Sequence, residues 1–156
     1  VSKFSHLKKK DITSETTAWC PLYGIEMNGR VPELLLAPAL ECNEPYYNAT
    51  LRRTTARARV TQAKGLTAAM MKGDRDEDRE LFPKFVVRDW KNVVDDEGKG
   101  VDFNVDNCTA FLEALPNHVF DVARNFASNA SYFDGTYNAE DGEAVAGNSP
   151  SASSSS

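Results

Sequence analysis

The chain has 156 residues, 41 % of them hydrophobic and 26 % charged, which suits one domain with a modest core and a loose end. Its net charge of −5 argues against general nucleic-acid binding, which relies on a strong basic field. No segment approaches the roughly 18 consecutive apolar residues of a spanning helix, and the lysine-rich start lacks the apolar stretch of a secretory signal, so neither membrane nor export is expected.

Residues 1–15 are polar and lysine-rich without periodicity and read as a flexible basic arm. Thr16, Thr17, Trp19, Leu22 and Tyr23 favour a strand, and Pro21 places it at a sheet edge. Such an edge offers pairing to a neighbouring subunit. Asn28-Gly29 is a hairpin turn signal, and Val31 with Leu34-Leu35-Leu36 supplies a second strand, so 16–40 reads as a β-hairpin. A helix follows over 43–64. Asn43 suits its cap, Pro45 its first turn and Gly65 its end, with Tyr47, Leu51 and Ala58 near one face.

A loop is expected around Gly73. Phe82, Phe85, Val86, Trp90 and Val93 then recur at helical spacing, which predicts a second helix with Pro83 in its first turn. Asp95 to Gly100 is a turn by composition, and Val101 to Phe103 is short and extended. Asn104 caps a third helix whose stripe is Val105, Cys108, Phe111, Leu112 and Leu115. Pro116 ends it and opens a fourth. That helix places Val119, Phe120, Ala123, Phe126 and Ala127 on one face and runs to about Phe133. The fold class is therefore α+β, mainly α, with a single globular domain over 16–133.

Residues 134–156 hold Gly, Ser, Ala, Asn and four acids without a base, and those acids account for four of the five net negative charges. The composition cannot offset the entropy of ordering, so a disordered acidic, serine-rich tail is expected.

Candidate chemistry is sparse. The three cysteines are odd in number and widely spaced, which points to a reducing compartment rather than a disulfide framework. His6 and His118 lie far apart, and no Cys or His pair has zinc spacing. Asp95, Asp96, Glu97 and Asp102 lack the alternation and closing glutamate of a calcium loop. No nucleophile elbow or phosphate loop is present. The expectation is a protein without an active site or cofactor.

The basic run carries more. Between Pro45 and Gly73 there is no acid, while Arg52, Arg53, Arg57, Arg59, Lys64 and Lys72 are present. Its plainer reading is a solvated face balanced by the acids at 74–80. The alternative is a face for an acidic partner, or for RNA or DNA, and the arginine bias supports a partner because arginine forks pair with carboxylates.

From Phe85 to Phe133 the sequence reads Val86-Val87-Arg88-Asp89-Trp90-Lys91-Asn92-Val93-Val94-Asp95-Asp96-Glu97-Gly98, then Val101-Asp102-Phe103-Asn104, then Phe111-Leu112-Glu113-Ala114-Leu115-Pro116, and ends near Ala130-Ser131-Tyr132-Phe133. This resembles the second half of the tail assembly chaperones of long-tailed bacteriophages, and the likeness extends over about residues 16–133. The resemblance implies a non-enzymatic protein of the host cytoplasm that binds the tape measure protein and keeps its apolar stripes soluble until tail tube subunits assemble around it. Many such proteins also have a frameshifted longer form, which here would be joined at the acidic tail. Arg52, Arg53, Arg57, Phe82, Phe85 and Trp90 are the candidate contacts, although such aromatics more often lie in a core. The alternative is a structural virion protein, such as a minor tail, connector or capsid-associated subunit. A homo-oligomer is compatible with either reading.

Overall fold

A computed structural model describes residues 3–65 and 67–137. Two short strands, β1 (Ala18–Pro21) and β2 (Glu33–Leu36), pair antiparallel with Trp19 opposite Leu35. The connection tightens at Asn28 and Gly29, whose φ values of 55° and 76° suit the primed turns that match strand twist. Met27 and Arg30 bridge across that turn. Helices α1 (Glu44–Lys64) and α2 (Ala68–Phe85) follow as a hairpin. Strand β3 (Val87–Lys91) then returns to pair antiparallel with β2, giving the sheet order β1-β2-β3. Helices α3 (Val105–Ala114) and α4 (Asn117–Ala127) complete the body, followed by a 3-10 turn at Ala130–Tyr132. The class is α+β and mainly α, as the sequence predicts.

One sheet face supplies part of the core. Cys20, Leu34 and Trp90 lie in register across the three strands, and all are buried. Helices cover them with Phe82, Cys108, Leu112, Val119, Phe120 and Ala123. Phe82 meets Tyr46 and Phe120 edge-on at centroid distances of 5.8 and 5.4 Å. Trp90 meets Phe103 and Phe111 in the same way, and its Nε1 donates to the Val101 carbonyl at 2.8 Å. The ring is thus buried with its polar atom satisfied.

Four local expectations change. Trp90 lies on β3, not on a helix, because pairing with β2 buries it as well as a helical face would. Helix α2 starts at Ala68 and runs through Gly73, where a loop is predicted. Pro83 therefore sits in the last helical turns rather than the first, and the helix ends two residues after it. Helix α4 stops at Ala127, six residues before Phe133. By contrast, Asn104 caps α3 through its side chain, which accepts from Asn107 N, and Pro116 separates α3 from α4. The five residues predicted for the α4 stripe are the five that are buried.

Residues 3–15 touch the body at several points. Lys10 N donates to Asp134 O at 2.9 Å, Ser14 O accepts from Arg88, and Ile12 packs against the core. The tail predicted over 134–156 lies outside the described residues from position 138 onward.

Candidate functional site

The α1–α2 hairpin starts from a buried anchor. Asn43 precedes α1, but its side chain does not cap the helix. Its Nδ2 donates to Pro38 O at 2.9 Å and to Phe85 O at 2.8 Å, tying the start of α1 to the end of α2. Further along, Tyr46, Thr50, Arg53 and Arg57 recur at spacings of four, three and four. That places them on one helix face, and this face meets α2.

Beside the Tyr46–Phe82 ring contact, the two helices meet through charged groups. Asp78 is 4 % exposed and receives the Tyr46 hydroxyl at 2.9 Å, Arg53 Nη1 at 3.4 Å and Arg124 Nε at 2.9 Å. Arg53 also approaches Asp74 at 3.4 Å and Glu77 at 3.8 Å, while Arg57 pairs with Asp74. Asp121 on α4 extends the cluster. Arg75 bonds it twice, at 3.1 and 2.9 Å, and Arg124 once, at 3.2 Å. A carboxylate gripped by two guanidinium nitrogens is among the stronger charge-assisted arrangements.

Protonation follows from these contacts. Burial works against the charged form of Arg53, yet Asp78, Glu77 and Asp74 outweigh it and raise its pKa. Burial first, then Asp78, holds the Tyr46 hydroxyl well above the ordinary phenol value. The Arg75 hydrogen bonds lower the Asp121 carboxyl, with help from Arg124 and against burial. Both Asp78 oxygens are taken, so the cluster acts as a lock joining α1, α2 and α4. The buried Arg79 donates to the carbonyls of Leu112 and Leu115 and to Asn117 Oδ1 at 2.7 Å, which closes the end of α3. Burial pushes the Cys20 thiol, also near Glu33, and the Cys108 thiol up to about 12. Among the described residues, no group of three or more His, Cys, Asp or Glu is placed to hold a metal.

Beyond the lock the hairpin stands clear of the body. Described residues from 58 to 73 bury no side chain. This arm carries Arg59, Lys64 and Lys72 and no acid, together with Val60, Met70 and Met71, of which Met71 is 59 % exposed. The face of α1 bearing Tyr47, Leu51 and Ala58, expected to be one apolar side of the helix, points outward, with Tyr47 at 42 % and Leu51 at 47 % exposure. The chain spends the polar face of α1 on its own lock and leaves the apolar one in solvent.

The six contacts proposed from sequence separate accordingly. Arg52 is exposed. Arg53 and Arg57 are held by Asp74 and Asp78. Phe82 and Trp90 are core residues, and Phe85 is half-buried where its carbonyl receives Asn43. Tyr47 and Leu51, absent from that set, are exposed apolar residues of α1, as is Val60, and the signal of the first two was a four-residue apolar spacing.

The sequence model of the YdaY prophage protein family matches residues 42–148. The chain belongs to the YdaY prophage protein family. It is thus phage-derived, as expected, while the family description names no part in tail assembly. No curated protein and no solved structure matches the chain. The YdaY match opens just before α1, so the arm and its lock lie within the family span, whereas β1 and β2 precede it.

Proposed function

We propose that this YdaY-family chain is a non-enzymatic tail assembly chaperone that holds the phage tape measure protein soluble in the host cytoplasm. The observation that carries the reading is the arm: a helical hairpin without a core of its own, cationic and apolar, held to the body by the lock at its base. Helices in proteins owe most of their stability to a packed amphipathic face, so such an arm suits a partner helix laid against it. A long helical protein with apolar stripes and acidic flanks is that kind of partner. The outward stripe of Tyr47 and Leu51 takes the apolar side, and Arg52 and Arg59 set on-rate and salt sensitivity.

The same arm would also serve a subunit that stays in the particle, as a minor tail, connector or capsid-associated protein. Mass spectrometry of purified particles and of the infected-cell lysate separates the two. Abundance in lysate with absence from particles is the result expected of a chaperone. A fixed copy number in particles would replace that reading with the structural one.

A further inference from the structure

Strand β1 forms one edge of the sheet and, among the described residues, pairs with β2 alone. Leu22 N donates to Pro32 O at 2.9 Å just beyond the strand. Alternation along an antiparallel ladder then turns the backbone of Ala18, Cys20 and Leu22 toward β2 and that of Thr17, Trp19 and Pro21 outward. The edge therefore offers the N–H and carbonyl groups of Thr17 and Trp19, while Pro21 is buried, supplies no donor and has its carbonyl taken by the Cys20 thiol at 3.7 Å.

Two cavities flank this edge. One, of about 350 Å³, is lined by Trp19, Tyr132 and Tyr137 and carries Lys10, Lys91 and Glu33. Lys91 Nζ stands 4.0 Å from the Trp19 ring centroid, and neither Lys10 nor Lys91 has an ion pair among the described residues. The other, of about 300 Å³, is lined by Cys20, Val122 and Phe126, with Asn125 and Asn129 also present. Pro21, Phe126 and Tyr132 line both. An added strand would send alternate side chains to opposite faces. One set would meet lysines and aromatic rings, the other an apolar recess.

We infer that the β1 edge is a second binding surface, distinct from the α1–α2 arm, which takes an extended segment of a partner polypeptide with alternating acidic and apolar side chains as an added strand. Main-chain bonds to Thr17 and Trp19 supply affinity, and the two cavities read alternate residues. Each cavity has room for a side chain, and the aromatic residues after α4 stand beside the strand, which favours one extended segment over the edge of a second folded copy.

The test uses the full chain, ¹⁵N-labelled, and an end-blocked octapeptide alternating Val and Glu. Its Val-Lys counterpart and a version N-methylated at alternate residues serve as controls. Saturation with the Val-Glu peptide is expected to slow amide exchange at Thr17 and Trp19 at least tenfold. The Val-Lys peptide should bind about fivefold more weakly, and Lys91→Glu should remove that preference. N-methylation on the bonding edge should abolish binding. Equal binding of both charge versions, unchanged exchange at Thr17 and Trp19, or shifts confined to residues 47–73 would overturn the inference. So would dimerisation through the same amides in the absence of peptide, which sedimentation would detect.

Discussion

Asp78 is the residue on which the hairpin turns. It is almost fully buried and binds Tyr46 and Arg53 from α1 and Arg124 from α4. Asp78→Ala would leave two guanidinium groups facing a void, at a cost of about 3 kcal/mol, since a broken buried pair strands its partners. Chemical denaturation measures that loss, and Arg52→Ala, on the exposed side, should cost almost nothing. Asp121 gives a pH signature. Its folded pKa lies below the ordinary carboxylate value of about 4. Its contribution is therefore present above that value and lost as pH falls through the lowered one. Melting curves should show the gap between the wild type and Asp121→Asn closing as pH drops below about 4. The acids at 74–80 and the arginines before them were visible in sequence, and so was their balance. Their pairing was not, because Arg53 and Asp78 are 25 residues apart and meet only once the hairpin folds back.

At the scale of elements, legibility followed local punctuation. Helices α3 and α4 were readable because Asn104 and Pro116 mark their ends through backbone chemistry that needs no tertiary partner. Asn104→Ala should cost about 1 kcal/mol, the usual worth of such a cap, again measured by denaturation. Strand β3 was misread because Phe82, Phe85, Trp90 and Val93 satisfy a helical period across what is really a helix end and a strand. Pairing with β2 decides the outcome, and strand preference depends on neighbours. Helix α1 was half legible. Its span and the Gly65 end were clear, but its orientation was not, because charge pairing turned the polar face inward. The arm gives a converse expectation. Val60→Ser with Met71→Ser should shift stability by no more than about 0.5 kcal/mol, as exposed positions do. Affinity for the partner helix should nevertheless fall by roughly tenfold or more, which titration calorimetry would read.

The whole molecule divides its labour between a body and a cationic arm. The body is closed by an apolar core under the sheet, where Arg79 donates to the Leu112 and Leu115 carbonyls and Arg124 to Asp78. The arm carries positive charge on a chain whose net charge is −5. In the proposed role that charge attracts an acidic helix. The fold class was legible as a whole, from one hairpin signal and the helical stretches. The candidate site was legible only as a basic run, because exposure is a property of the assembled chain.

The most direct test is co-expression of this chain with the tape measure protein of the same phage, followed by measurement of the soluble, co-purifying fraction. The account predicts that the wild-type chain brings the tape measure protein into solution as a salt-sensitive complex. It also predicts that Val60→Ser/Met71→Ser, although folded, leaves it in the pellet. A tape measure protein equally soluble with either chain, or with neither, would contradict it.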